Sequence, residues 1–321
     1  MASVCDGKDA IMKNSRFLAR IVFTDPPQRE KEVFMELGKI DLHMHTTVSD
    51  GTDTPEQILQ RVKEEGIRCF SITDHDSIKA ASILPELLGK EDPFYIPGVE
   101  FSCRDELGKY HILGYGYDAS APSINHLVEL GHSYRMRKVR ARIDKLAEMF
   151  QVTFPKEEIE KLLAMDNPGK PHLGNLMVQY GYASDRQEAI REYINRAKVK
   201  SEFIGPQEAI EGILASGGIP VLAHPCFGSS DQSILGQELE ERVERLAKAG
   251  LAGLEAFYSG FSEEHTREVL ALAEKYKLCV TAGSDYHGTN KTVKLGDTGV
   301  LDRSREIPML SDFLNRAGLV L

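Results

Sequence analysis

No run of apolar residues in this chain approaches the roughly 20 that a helix needs to span a bilayer, so no membrane partner is expected. The N-terminus alternates charged and apolar residues and lacks a signal-peptide core, which predicts a cytoplasmic chain that is not exported. Cysteine is sparse. Cys5, Cys69, Cys103, Cys226 and Cys279 show no C-x-x-C spacing. Cys69, Cys103 and Cys279 fall in or beside apolar runs, where a free thiol packs as a small hydrophobe. Cys226 stands two residues after His224, and a ligand role for it is the minor reading. Positive charge is also short: 39 Lys and Arg stand against 49 Asp and Glu, a net charge of −10. A protein that coats nucleic acid is normally basic, so a duplex DNA partner is not expected. The G-x-S-x-G elbow of serine hydrolases is missing as well.

What the chain does have, from Lys39 onward, is short apolar runs alternating with amphipathic helical stretches, the βα pattern of a mostly parallel sheet. The strand candidates are Lys39–Leu42, Arg68–Ile72, Tyr95–Phe101, Tyr110–Tyr115, Ile219–Ala223, Gly253–Phe257 and Cys279–Ala282. Seven strands that each deliver polar residues at one end suit a barrel, in which chemistry collects at the C-terminal rim. Thr54-Pro55-Glu56-Gln57 predicts a capped helix start and Gly66 its stop, and Ser262-Glu263-Glu264 opens a helix running towards Lys277.

The alternation breaks between about Ala119 and Phe203. Helical stretches at 123–150, 156–164, 171–180 and 185–197 replace it, and they predict a helical insertion at 119–203 over the rim of a barrel formed by 35–118 and 204–321. The first long helix carries Arg135, Arg137, Lys138, Arg140, Arg142 and Lys145, of which 135, 138, 142 and 145 share a face. Residues 1–34 fit neither part, end near Pro26-Pro27, and read as an N-terminal extension, with Met35 a natural start.

Nine potential metal ligands lie just past predicted strand ends. They are His43, His45, Asp50, His75, Glu100, His111, His224, Asp285 and His287. Borderline and hard divalent ions take imidazole and carboxylate, and a cluster needs many such groups converging. His43-x-His45 on a strand puts both imidazoles on one face, because side chains alternate with period two. Two neutral imidazoles do not balance a dication, so Glu100 and Asp285 supply negative charge. Nine ligands exceed one site and suit three metals with a shared carboxylate and a bridging hydroxide. Such ions make a pocket locally positive whatever the global charge, which leaves a nucleotide or RNA-end substrate open. His126, His132 and His265, outside these blocks, read as ordinary helix histidines. Asp74 and Asp76, flanking His75, read as partners of ligands or as helix caps.

The blocks IDLHMHTTVSDG, SITDHDS, IPGVEFSC, YHILGY, VLAHP and AGSDYHG resemble the signature segments of the PHP superfamily, named for polymerase and histidinol phosphatase. The resemblance runs from about Lys39 to Gly288. With GKPHLGNLMVQYGY it extends to a subgroup of small bacterial phosphoesterases: nucleoside 3′,5′-bisphosphate and AMP phosphatases and a 5′→3′ exonuclease on short RNA. It implies a distorted seven-stranded (β/α)7 barrel and three metals, manganese, iron or zinc. Carried over, His43, His45, Glu100 and Asp285 hold the first metal. Glu100 bridges to a second completed by His111 and His224, and Asp50, His75 and His287 hold the third.

The expected function is therefore hydrolysis of a phosphomonoester of a nucleotide-like substrate, with a metal-bridging hydroxide as nucleophile and no catalytic side chain of its own. Arg135 is the first candidate for a second phosphate, since its planar fork suits that group, followed by Lys170 and His172; a structural role at a helix start is the alternative for His172. The second reading is 5′→3′ trimming of short 5′-phosphorylated RNA. A non-catalytic binding module is a third reading, of another class; it would show missing ligands, and here none is missing. Two-metal amide hydrolysis would leave Asp50, His75 and His287 without a task.

Overall fold

Pro97 breaks the run expected as one strand, Tyr95–Phe101, because proline has no N–H to give to a ladder. In the computed structural model, which describes residues 38–228, 232–300 and 307–319, two strands stand in its place and belong to different sheets. The expected extension at 1–34 lies outside the described residues. The first sheet joins β1 (Lys39–Asp41), β2 (Ile67–Phe70) and β3 (Phe94–Tyr95), all parallel. The second runs β4 (Gly98–Asp105), β5 (Gly108–Tyr115), β6 (Ile219–Leu222), β7 (Gly253–Tyr258) and β8 (Cys279–Gly283) in sequence order.

The frame is α/β, with two departures from expectation. Both pairings of β5, to β4 and to β6, are antiparallel. The ladders of the described residues also form two sheets rather than one closed ring. Short bridges lie at both seams. Leu42 N–H donates to the Ala282 carbonyl at 2.9 Å, and Met44 pairs with Tyr286. On the other side Ile96 N–H donates to Phe70, and His75 pairs with Glu100. His75 and Glu100 are themselves candidate ligands, and Met44 and Tyr286 stand beside His43, His45, Asp285 and His287 in the chain, so both seams run through the candidate site.

The helices follow their caps. α1 (Pro55–Glu64) starts on a full capping box: Thr54 Oγ1 accepts from Gln57 N–H, and Gln57 Oε1 accepts from Thr54 N–H at 2.8 Å. Gly66 follows in the left-handed region, at φ 67°. α2 (Ala80–Leu87) starts from Lys79, so neither Asp74 nor Asp76 caps it. Between β5 and β6 come α3 (Pro122–Phe150), α4 (Lys156–Leu163), α5 (Lys170–Gln179), α6 (Arg186–Glu188, continued by a π turn over Ala189–Ile194) and α7 (Pro206–Ala215). Val139, Ile143 and Leu146 of α3 pack with Leu162, Leu173 and Met177 in a core local to these helices. α8 (Gln237–Lys248) and α9 (Glu263–Tyr276) cover the second sheet's later crossovers, and α10 (Pro308–Arg316) packs on β8. His265 takes the third helical position of α9, and its Nδ1 accepts from Ser262 N–H. No described helix is long and apolar enough to cross a membrane.

Candidate metal centre

Glu100 sits at the middle of a ring of imidazoles. It is 1% exposed, delivered by β4, and four histidines from four other chain segments approach its two oxygens within 3.3 Å. Oε1 faces His111 Nδ1 at 2.8 Å and His224 Nε2 at 3.3 Å; Oε2 faces His75 Nδ1 at 3.0 Å and His45 Nε2 at 3.2 Å. His43 Nε2 stands 3.4 Å from Oε2. Asp285 Oδ1 closes the first group, 3.4 Å from His45 Nε2 and 3.7 Å from His43 Nε2. Asp50 lies at the far side, with His287 Nε2 at 3.2 Å and His75 Nε2 at 4.0 Å. All nine sequence candidates thus converge. His43, His45 and Asp285 form one compact ligand set, His75, Glu100 and His111 another, and His45, Asp50, His75 and His287 a third.

The donor set fits metal ions on the chain's own terms. His43 Nε2, His45 Nε2, His75 Nδ1 and Asp50 Oδ1 are buried without a hydrogen-bond partner among the described residues. A buried polar atom left unpaired costs about 1–3 kcal/mol, so three imidazole nitrogens around Glu100 Oε2, with Asp50 Oδ1 facing His287 Nε2 farther across, mark a place for cations. Electrostatics agree. Burial by itself would raise the Glu100 pKa, yet His111, His43 and His75 hold it well below the carboxylate range. For His45, burial works downward, but the bonds to Asp285 and Glu100 carry its pKa up to about 9. Burial wins at His75 and presses it down to about 3.

Backbone geometry shows what the strand-end positions demand. His224 (φ 28°), Asp285 (φ 57°) and Asp76 (φ 50°) all adopt the left-handed region that non-glycine residues avoid. Such strain persists only where surrounding structure over-determines it. Here the Asp285 N–H donates to the His43 carbonyl at 2.8 Å and the His224 N–H to a Glu255 oxygen at 2.7 Å. Gly283 is required for a different reason: a Cβ there would overlap both His43 and the Glu255 carboxylate.

Several supporting residues escaped the sequence reading. Glu255 on β7 is fully buried; its Oε1 is 2.9 Å from His43 Nδ1. Asp41 accepts from Ser284 N–H and Oγ–H, from Gly296 N–H and from His43 N–H, and burial pushes its pKa up to about 6 despite those bonds. Tyr258 O–H and Lys291 Nζ both donate to Asp285 Oδ2, which turns Oδ1 to the histidines. An acid inside an otherwise apolar strand, as in IDL and GLEAF, is the signal that could have found Asp41 and Glu255.

Other expected residues divide. Asp74 touches no ligand imidazole. It accepts from Thr46 N–H and Oγ–H and from Ser49 Oγ–H, and so fixes the turn between His45 and Asp50. Asp76 accepts from Ser102 N–H and pairs with Arg135. Arg135 is therefore an ion-paired group, not a free one. It lines a cavity of about 350 Å³ that opens on Asp50, His75 and His111. Lys138, Arg142, Lys109 and Lys170 line the same cavity, whereas Lys145 of the same predicted face turns to Glu148 instead. Lys170 Nζ also donates to Asn195. His172 Nδ1 accepts from Gly169 N–H at the start of α5, a bond that a helix-start role would make, and the residue is not among those lining the cavity. Cys226 is buried outside the ligand sets, and burial pushes its thiol up to about 12.

Comparison with known proteins agrees with this geometry. The PHP domain family model matches residues 41–206. The chain is 31% identical over 262 residues to a phosphoribosyl 1,2-cyclic phosphate 1,2-diphosphodiesterase of Eggerthella lenta, covering 77% of this chain and 94% of the relative. It is 28% identical to a 5′-3′ exoribonuclease of Haemophilus influenzae (80% and 93% covered) and 26% identical to a 3′,5′-nucleoside bisphosphate phosphatase of Chromobacterium violaceum (78% and 88%). A solved structure from Bifidobacterium adolescentis, assigned as a metal-dependent phosphoesterase, superposes with a TM-score of 0.74 at 26% identity, over 86% of this chain and 96% of that one. The chain belongs to the PHP family. It is a metal-dependent phosphoesterase, a hydrolase of phosphate esters.

Proposed function

We propose that the nine residues hold three divalent metals, manganese, iron or zinc, and that the substrate is a nucleotide-like phosphomonoester bearing a second phosphate, a nucleoside 3′,5′-bisphosphate before AMP. His43, His45, Glu100 and Asp285 would hold the first ion, Glu100, His111 and His224 the second, and Asp50, His75 and His287 the third. When bound, such ions supply an activated water and neutralise charge on the phosphoryl oxygens. Asp285 and Glu100 orient the imidazoles, and Tyr258 and Lys291 hold the Asp285 carboxylate. The frame is read as a distorted seven-stranded barrel, because the two-residue β3 and β4 derive from one sequence run and both seams carry bridges. Residues 119–203 are read as the insertion over its rim, and 35–118 with 204–321 as the barrel.

One observation carries the substrate reading. Lys109, Lys138 and Arg142 line the cavity that shares Asp50, His75 and His111, and none of the three has an ion-pair partner among the described residues. Lys138 and Arg142 are part-buried, where a cation without counter-charge is costly, so the cavity favours an anionic ligand beside the metals. The name of the C. violaceum relative fits such a ligand. The second reading, 5′→3′ removal of nucleotides from short RNA, draws on the same cations. Arg135, Lys138 and Arg142 span about 10 Å along α3, enough for more than one phosphate. Phosphate release from a nucleoside 3′,5′-bisphosphate, AMP and an arylphosphate, set beside mononucleotide release from a short 5′-phosphorylated RNA, separates the two readings. Faster turnover of the bisphosphate supports the first, and preference for the oligonucleotide replaces it with the second. Arg135→Glu should lower kcat/KM at least tenfold, about 1.4 kcal/mol, on both nucleotide substrates while sparing the arylphosphate. Release of neither phosphate nor mononucleotide from any member of the panel by fully metallated protein would overturn both readings.

A further inference from the structure

The helices between β5 and β6 do more than roof the cavity: they grip the backbone of two candidate ligands. Asn167, 3% exposed in the turn before α5, donates from Nδ2 to the His75 carbonyl at 2.6 Å. The turn around it is anchored twice, by Lys79 Nζ on the Asp166 carboxylate at 2.7 Å and by His132 Nδ1 on the Asp166 carbonyl at 2.8 Å. From the other side Arg186 of α6 donates to Asn290 Oδ1, and Asn290 Nδ2 donates to the Asp50 carbonyl. Arg135 adds a third grip on Asp76, the neighbour of His75.

The grips are selective. Asp50 and His75 both fall in the group assigned to the third metal. The first and second groups are tied instead by the sheets themselves: Asp285 N–H to the His43 carbonyl, His45 N–H to Tyr286, and Ala223 N–H to the His111 carbonyl. Partners that orient a ligand tune metal affinity by about 10–100-fold when lost.

We propose that the helical segment sets the affinity of the third metal position by holding the Asp50 and His75 backbones, with Asn167 and Arg186 as positioning residues. The inference rests on the three-metal reading above.

The test is a Mn²⁺ titration of metal-stripped full chain, with bound metal counted by elemental analysis and folding checked by circular dichroism. Wild type should take up three equivalents. Asn167→Ala with Arg186→Met should weaken one equivalent by about 10–100-fold and leave two unchanged, and Arg186→Lys should keep most of the wild-type affinity. Asp50→Asn is the control and should lose that same equivalent. If Asp50→Asn loses one metal while the double variant keeps all three, or loses all three alike, the grip is wrong and the metal reading stands. If wild type binds fewer than three, or Asp50→Asn still binds three, the metal reading fails and this inference fails with it.

Discussion

Glu255 holds His43 from behind: its Oε1 lies 2.9 Å from His43 Nδ1, while its Oε2 accepts the His224 N–H at 2.7 Å. One buried carboxylate thereby aligns an imidazole of the first group and the backbone of a ligand of the second. It also selects the His43 tautomer that leaves Nε2 free to face Glu100.

Removing that carboxylate should loosen the metals before it unfolds the chain. Glu255→Ala is expected to weaken metal binding about 10–100-fold, with kcat falling in step at limiting metal. Glu255→Gln, which can still bond one partner, should lie between. Metal content after dialysis against defined free Mn²⁺ checks this, and wild-type retention by the Ala variant would refute it.

Chelation should abolish phosphate release, and manganese should restore it. The metal-free protein should also show a distinctive pH dependence. The folded pKa of His45 is raised to about 9 from 6.5, so its proton contributes stability that is fully present below about pH 6.5 and lost as pH climbs through 9. The loss is on the order of 3 kcal/mol. Melting curves of chelated protein between pH 6 and 10 should show Tm falling over that window. With Mn²⁺ the imidazoles bind metal instead of protons, and the fall up to pH 9 should vanish.

Lys138 offers a second pH signature, read in KM. Burial, then the charges of Arg142 and Arg135, press its pKa down to about 7. A lysine is charged below its pKa, so between pH 6 and 8 the charged fraction drops roughly tenfold. KM for a nucleoside bisphosphate should rise over that range, although the substrate itself becomes more anionic. Lys138→Arg should flatten the profile, and an arylphosphate, which brings no second phosphate to Lys138, should show no such rise.

Gly283→Ala tests the close approach of β8 to the centre. Its Cβ has nowhere to go but into His43 and Glu255, and overpacking of this kind costs about 1–3 kcal/mol. The expected result is a lower Tm together with lost metal. Full metal content at a lowered Tm would show that the strand shifts as a body and spares the site.

Strand runs, caps and ligands were legible because each is a local pattern. Thr54 and Gln57 cap α1 from three residues apart, and the i, i+2 spacing of His43 and His45 keeps their rings together just past β1, with centroids 5.3 Å apart. Other features depend on what the fold sets alongside a residue. The antiparallel setting of β5 depends on which strands lie on either side of it in space, and the two-residue turn at Glu106-Leu107 gave no hydrophobic signal of it. Arg135 does line the cavity, but its ion pair with Asp76, 59 residues away, has no signature in the sequence. His172 has the residue type of a binding group, but its Nδ1 is taken up by the Gly169 backbone N–H.

The chain by itself thus singled out nine candidate metal-binding residues at predicted strand ends, and the fold brings them together. Only the tertiary structure decided how they are held. Glu255 and His43 are 212 residues apart, and Asn167 and His75 are 92 apart. No periodicity reaches across such separations. Partnership of that kind is set by which sheet edges and loops meet once apolar surface is buried, and it exists only in the folded molecule.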